Sequence, residues 1–180
     1  MKKFSIILAV DEKNWVGKDN DLAWKISADL KYFKKITAST KNFSNTNAVV
    51  MWRKTWESIP QKYRPLPYRI NCILSRTITQ ESKDSQEDDL VLYFNSVESC
   101  LEELETKTDL EQIFIIGWAN IYNQLLDHPR LENIYLTQVY WDYNCDVFFD
   151  GVPDNFVVSE RLGKKVEDGV EFEWQVYKKK

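Results

Sequence analysis

Apolar residues come in short, unbroken runs over the first two thirds of the chain. Runs rich in β-branched residues and bounded by polar segments are typical of strands that are covered on both faces of a sheet. Each run is therefore expected to form one strand. The predicted strands lie near 4–10, 47–52, 70–75, 90–94 and 112–117.

Helical patterns separate these runs. Helices are predicted over 27–37, 53–59, 96–106 and 119–127. Ser27 is a candidate N-cap for the first of them. Alternating strands and helices predict an α/β fold with a mainly parallel sheet and helices on both faces.

The last third of the chain changes to alternating stretches. They predict strands near 132–141, 156–160 and 170–177, with Gly163 and Gly169 in the connection before the last strand. This pattern is typical of an antiparallel hairpin at the edge of a sheet. The 180 residues contain no linker-like segment, so one domain over 1–180 is expected.

Composition argues against several classes of function. The net charge is −4 and the basic residues form no stripe, which argues against nucleic-acid binding. No stretch reaches the roughly 20 apolar residues of a membrane span. The single histidine, His128, excludes a histidine triad or a multi-histidine metal site. Cys72, Cys100 and Cys145 lack metal-type spacing and indicate reduced thiols in a cytoplasmic protein.

One acidic residue has an unusual setting. Asp29 lies near the start of the first predicted helix, four residues before Phe33, so both side chains share one face. An acid among apolar neighbours is a candidate for a perturbed pKa and a ligand contact. The alternative is that Asp29 only offsets the helix dipole. The spacing alone leaves both interpretations open.

Basic and hydroxyl residues follow two of the predicted strands. Arg53, Lys54 and Thr55 follow the second strand, Ser75 and Arg76 lie at the end of the third, and Gly117 joins the fifth strand to a helix. Strand ends of this kind suit a nucleotide at the carboxyl edge of the sheet. The alternative is that the cations are solvated surface charges. The chain has neither a Walker A loop nor a G-x-G-x-x-G motif.

Four segments resemble one known family in the right order. They read ILAVDEKNWVGKDNDLAWKISADLKYFKKIT, MWRKTWESIPQKYRPLPYRINCILSR, IFIIGWANIYNQLL and LTQVYWDYNCDVFF. The chain resembles dihydrofolate reductase, and eukaryotic, fungal-like members most, from about Phe4 to Tyr177. The resemblance implies a mostly parallel eight-stranded sheet with a C-terminal antiparallel hairpin and about four helices. It implies a monomer that uses NADPH to reduce dihydrofolate to tetrahydrofolate and that binds antifolates.

The resemblance also implies roles for residues on the substrate side. Asp29 matches the acid that binds the pterin, Thr137 the hydroxyl that supports this acid, and Trp24 the tryptophan beside the active-site water. Arg69 matches the guanidinium that pairs with the glutamate tail of folate. The apolar walls around the pterin and benzoyl rings are matched by Phe33, Ile59 and Leu66. The nicotinamide pocket is matched by Ile7, Ala9, Ile116 and Tyr122.

On the cofactor side, the resemblance includes departures. Lys54, Thr55, Ser75 and Arg76 match positions around the phosphates and the adenosine ribose, and Gly117-Trp118 stands where the family has Gly-Gly. Those glycines let the pyrophosphate approach the backbone. Other departures from the family pattern are Trp15, Trp52 and Asn20 at glycine positions and Ala23 at a proline position. All three tryptophans at glycine positions are expected to lie on the cofactor side.

These tryptophans lead to competing expectations for the cofactor. In the first, Trp118 and Trp52 obstruct the phosphate cradle, and NADPH binding is impaired. In the second, the indoles rotate outward and the cofactor binds. Two other functions therefore stay open beside the reductase. One is a folate-binding protein with little turnover, and the other is an interaction module that uses Trp15, Trp52 and Trp118 as an exposed apolar patch.

Overall fold

The computed structural model of the chain describes residues 1–17, 23–77, 89–143, 145 and 147–180. Asn20 and nearly all of the polar segment at 79–89 lie outside the described residues. In the described part of the chain, no helix is long and apolar enough to cross a membrane.

Strands and helices alternate as the sequence predicts. The strands are β1 (Phe4–Val10), β2 (Trp15–Gly17), β3 (Thr46–Trp52), β4 (Arg69–Leu74), β5 (Val91–Phe94), β6 (Leu110–Ile115), β7 (Leu131–Val139), β8 (Val147–Phe148), β9 (Phe156–Glu167) and β10 (Val170–Lys179). The helices are α1 (Ser27–Ala38), α2 (Arg53–Ser58), α3 (Val97–Thr106) and α4 (Ala119–Leu125), with a 3-10 turn at Gln61–Tyr63.

Eight of the strands form one sheet in the order β5-β4-β3-β6-β1-β7-β10-β9. The first six strands in this order are parallel, and β10 runs antiparallel to both β7 and β9. The predicted α/β fold with a C-terminal antiparallel hairpin is therefore confirmed. The strands β2 and β8 form a separate two-stranded ribbon, which the sequence pattern missed because runs of two or three residues carry no usable periodicity.

Helices cover both faces of the sheet. On one face, α3 and α4 pack over β1, β3, β4 and β6 in the largest apolar cluster, where Cys72, Cys100 and Leu104 are fully buried. On the other face, α1 and α2 pack over alternate residues of the same strands, among them Val49 and Met51. Apolar runs without alternation are therefore required, because both faces of the central strands are buried.

Gly163 departs from its predicted place in a loop. It lies inside β9 with φ of 73°. Between the cross-strand pairs Lys164–Glu173 and Arg161–Gln175, β9 has two residues whereas β10 has only one. This is a β-bulge, and glycine adopts its left-handed conformation without a steric cost. Only Gly169 lies in the tight turn between β9 and β10.

The start of α1 also differs from the prediction. Its N-cap is Ile26, which offers no side-chain cap, so the expected capping role of Ser27 is wrong. Instead, the carboxylate of Glu167, at the end of β9, accepts hydrogen bonds from the backbone N–H groups of Ser27 at 2.6 Å and Ala28 at 3.0 Å. These two bonds hold the pKa of Glu167 below its usual range. A residue from the hairpin thus fixes the first turn of α1.

Replacing Glu167 by Ala should lower the melting temperature of the protein at pH 7, because two helix N–H groups lose their acceptor. The folded-state pKa of Glu167 lies below its unfolded value, so its contribution is present above the unfolded pKa and is lost as the pH falls through the folded pKa. Thermal melts of wild type and Glu167→Ala at pH 7 and in acid should show a difference that shrinks in acid.

Glu132→Ala is the matched control, because among the described residues the Glu132 side chain makes a single, exposed ion pair, with Lys3 at 2.9 Å. Equal losses for the two variants at pH 7 would contradict the capping role of Glu167.

Candidate active site

Three side chains in one cross-strand row lie beneath the start of α1. Ala9 on β1 pairs with Thr137 on β7, and Thr137 pairs with Trp174 on β10. Residues paired across neighbouring strands point to the same face of the sheet, so all three face α1. The register thereby places a small side chain, a hydroxyl and an indole next to one another.

Asp29 on α1 meets this row. Its Oδ1 accepts a hydrogen bond from Thr137 Oγ1 at 2.6 Å and another from Trp174 Nε1 at 2.9 Å. Its Oδ2 has no hydrogen-bond partner among the described residues. Burial raises the pKa of Asp29 above its usual value, while the two hydrogen bonds act in the opposite direction. Asp29 is therefore a half-buried carboxylate with one oxygen anchored and the other free for a ligand.

An apolar surface extends from Asp29 along α1. Phe33, Ile59 and Leu66, which come from three different segments, pack with Ile7 and Ile116 in one cluster. Ala9 packs instead with Trp24, whose Nε1 is buried and has no partner in the described part of the chain. The structure thus gathers these sequence-predicted side chains into two apolar clusters that both include residues of α1, the helix that carries Asp29.

Tyr122 on α4 lies on the other side of β1. It is buried, and its hydroxyl donates to the backbone carbonyl of Ile7 at 3.1 Å. Burial raises the pKa of this phenol well above its usual value. Tyr122 therefore acts as a neutral brace for the strand that carries Ile7 and Ala9.

A buried cation lies at the far end of α1. Arg69 is 2% exposed, donates from Nη1 to Thr37 Oγ1 at 2.7 Å and from Nε to the carbonyl of Pro67 at 3.0 Å. Burial lowers its pKa to about 10. No carboxylate among the described residues forms an ion pair with it. A buried guanidinium without an anionic partner is suited to bind a carboxylate supplied by a ligand.

The predicted cofactor residues gather at the carboxyl ends of β4, β3 and β6, which are neighbours in the sheet. Lys54 and Arg76 are exposed, whereas Thr55 and Ser75 are buried. The hydroxyl of Thr55 has no partner within the described ranges. Two cations and an unpaired hydroxyl therefore border one edge of the sheet, as a phosphate-bearing ligand requires.

Gly117 lies between these groups. Its φ is 124°, and a Cβ at this position would lie 2.5 Å from Thr55 Oγ1. The residue must therefore be glycine. The next residue, Trp118, has φ of −106° and precedes α4 as its N-cap. Its half-buried side chain and that of Trp52 pack against the largest apolar cluster, and its Nε1 is buried without a partner among the residues described.

Comparison with known proteins agrees with this geometry. The family model described as dihydrofolate reductase matches residues 3–179. The chain belongs to the dihydrofolate reductase family. It is 36% identical over 187 residues to a dihydrofolate reductase of Drosophila melanogaster, with 99% of each chain covered. Identity is 30% over 182 residues to that of Heliothis virescens, with 98% of this chain and 97% of the relative covered.

A fungal relative is also similar. The dihydrofolate reductase of Pneumocystis carinii is 36% identical over 157 residues, which are 82% of this chain and 74% of the relative. The family resemblance identified in the sequence is therefore confirmed. Members of this family use NADPH.

Trp15, one of the three tryptophans at family glycine positions, lies apart from the other two. It packs with Trp24 and Trp174 in the apolar cluster on the substrate side, and its ring meets Phe148 edge-on at 5.4 Å. The prediction that all three lie on the cofactor side is therefore wrong for Trp15. The expectation of an exposed tryptophan patch is also wrong, because all three side chains are half-buried. The exposed tryptophan is Trp141.

Sequence reasoning missed Trp174 and Glu167. Trp174 donates directly to the acid expected to bind the pterin, and Glu167 holds the helix that carries this acid. The family motifs quoted above contain neither residue. The alternation in the last strand was the available signal, since it places Trp174 on the same face as Phe172, two residues earlier.

Proposed function

We propose that the chain is a dihydrofolate reductase whose substrate is anchored by Asp29. The observation that carries this is the half-buried carboxylate with Oδ1 held by two donors and Oδ2 unpaired. The pterin offers a 2-amino group and a ring N–H side by side, and a carboxylate can accept from both with charge-assisted bonds. Family membership supports the same activity.

Asp29 orients the pterin and favours protonation of its ring. Its raised pKa allows it to hold a proton nearer to neutral pH than an exposed carboxyl can. Thr137 fixes the carboxyl plane by binding Oδ1. Trp24 contributes a buried N–H with no partner in the described part of the chain, which suits a water molecule between the indole and the pterin.

The apolar residues exclude water from the rest of the substrate. Phe33, Ile59 and Leu66 line the path between Asp29 and Arg69 and suit the aromatic rings of folate. Arg69 then pairs with the glutamate-tail carboxylate through its unpaired N–H groups. Antifolates that share the pterin-like head occupy the same pocket.

NADPH supplies the hydride when it is bound. Ile7, Ala9 and Ile116 offer the surface for its nicotinamide, and Ala9 leaves room because its side chain is small. Tyr122 supports this surface from the other side of β1 through its hydrogen bond to the carbonyl of Ile7. The residues that would hold the phosphates and ribose are Lys54, Thr55, Ser75, Arg76 and Gly117. The unpaired hydroxyl of Thr55 and the bare backbone of Gly117 are the features that fit this group.

Trp118 limits this fit. A phosphate oxygen must come within about 2.9 Å of backbone N–H groups to be bound, and an indole beside Gly117 competes for that space. Trp52 is the last residue of β3, the strand next to β6 in the sheet, and adds a second bulky ring. We propose that these rings weaken NADPH binding. A folate-binding protein with little turnover is the alternative function that would follow from a loss of NADPH binding.

We also propose that the protein is a cytoplasmic monomer with one domain over 1–180. One sheet that combines strands from β1 to β10 supports the single domain. The free thiols Cys72, Cys100 and Cys145 support a reducing compartment.

Replacing Asp29 by Asn tests the proposed function. The variant keeps an oxygen acceptor for Thr137 and Trp174 but loses the charge, so binding of a protonated 2,4-diaminopyrimidine should weaken by about 10- to 100-fold. Calorimetric titration of wild type and variant over a range of pH measures this. Equal affinities at every pH would exclude Asp29 as the anchor.

Arg69→Ala should act on a different part of the ligand. Loss of the buried guanidinium should weaken ligands that carry a glutamate tail by about 10- to 100-fold and should spare tail-less antifolates. Titration of one ligand of each kind gives the comparison. Lys62→Ala, which removes an exposed cation nearby in sequence, is the control and should leave both affinities unchanged.

Replacing the tryptophans tests the cofactor proposal. NADPH affinity should be weak in the chain as it stands, should rise in Trp118→Gly, and should rise further in Trp52→Gly with Trp118→Gly, with dihydrofolate reduction rising in parallel. Titration of NADPH fluorescence follows each step. Trp141→Gly is the control because Trp141 is exposed. Tight NADPH binding and rapid turnover in the unaltered chain would contradict the obstruction.

A further inference from the structure

The indole N–H of Trp174 is one of two donors to Asp29 Oδ1, and the two donors differ in kind. A threonine hydroxyl can donate to a carboxylate or rotate and accept from a carboxylic acid. An indole N–H can only donate. Trp174 therefore always requires a lone pair on Oδ1, whatever the protonation state of Asp29.

The position of the indole is fixed from several sides. Its ring stacks on Tyr32 with 4.6 Å between centroids and 17° between planes. Phe172 meets it edge-on at 5.4 Å, and Lys165 Nζ lies 4.7 Å from its centroid. Trp174 is 7% exposed. Its donor therefore cannot turn away from Asp29 without disturbing a packed aromatic cluster.

We propose that Trp174 is a positioning residue for Asp29, whose indole N–H reserves Oδ1 and so directs both the ligand contact and the acid proton to Oδ2. This inference rests on the proposed function, in which Asp29 binds the pterin. While Oδ1 accepts from both Thr137 and Trp174, its two in-plane lone pairs are used, so a proton on the neutral acid resides on Oδ2. That oxygen is the one left free to face a ligand.

The influence of the indole N–H on the pKa of Asp29 can be separated from that of neighbouring charged groups. Among the described residues, the titratable groups near Asp29 or its indole donor include Tyr32 on α1, which feels the charges of Tyr135 on β7 and Glu160 on β9. They also include Lys165, which lies over the Trp174 ring, and Glu167, which binds the first turn of α1. None of these five forms a hydrogen bond or ion pair with Asp29. Burial raises the pKa of Asp29, and the bonds from Thr137 and Trp174 lower it. Loss of the indole N–H should therefore raise this pKa further.

Binding of a tail-less 2,4-diaminopyrimidine over a range of pH tests the inference without NADPH. The protonated probe pairs with ionised Asp29, so its affinity falls as Asp29 becomes protonated in acid. In Trp174→Phe this fall should begin at higher pH, with affinity in mild acid reduced by about three- to tenfold and a smaller change at neutral pH. Thr137→Val should move the fall in the same direction.

Trp141→Phe is the matched control and should give the wild-type profile, because Trp141 is exposed and has no contact with Asp29. If Trp174→Phe does not fold, 3-benzothienylalanine at position 174 keeps the shape of the side chain and replaces the N–H by sulfur. The same displacement is expected for that variant.

The possible outcomes separate the inference from the function. A profile for Trp174→Phe or the benzothienyl variant that coincides with wild type, while Asp29→Asn abolishes the fall in acid, would overturn the role of Trp174 and leave the proposed function intact. Unchanged binding by Asp29→Asn would overturn both.

Discussion

A half-buried carboxylate at the first turn of α1 constrains much of this molecule. Burial of Asp29 is unfavourable for its charged form, so the surrounding structure must supply donors. Thr137 and Trp174 supply them from neighbouring strands, and this requires β1, β7 and β10 to keep one register. A shift of one residue would turn both donors to the opposite face of the sheet. The antiparallel hairpin at the edge of the sheet is therefore part of the candidate site.

The hairpin of β9 and β10 also fixes the position of α1. Glu167, at the end of β9, binds two N–H groups of α1, and Trp174 on β10 binds the carboxylate of that helix. These contacts join segments about 140 residues apart in the chain. The orientation of Asp29 thus depends on contacts with strands near the C-terminal end of the chain. The helix alone would not provide it.

The sequence predicted the central strands, the four helices and the residues around Asp29 because each leaves a local signal or belongs to a family motif. It did not predict the short ribbon of β2 and β8, which has no measurable periodicity. Gly163 was misplaced because a bulge and a loop both favour glycine. Ser27 was a plausible cap, but Glu167 occupies that role from a distant strand. Contacts of Trp174 depend on strand register, which local patterns leave unspecified until partners are known.

The proposed obstruction by Trp118 is consistent with an intact family fold. An aromatic side chain that packs on a core buries up to about 150–250 Å² of surface, which stabilises the folded state. Its contacts with the main apolar cluster act in this direction, although its Nε1 is buried without a partner among the described residues. A phosphate cradle instead needs bare backbone and an open approach, which contribute little to stability. Stability therefore favours tryptophan at position 118, whereas cofactor binding favours glycine. An intact fold is compatible with the proposed weakening of the cofactor site.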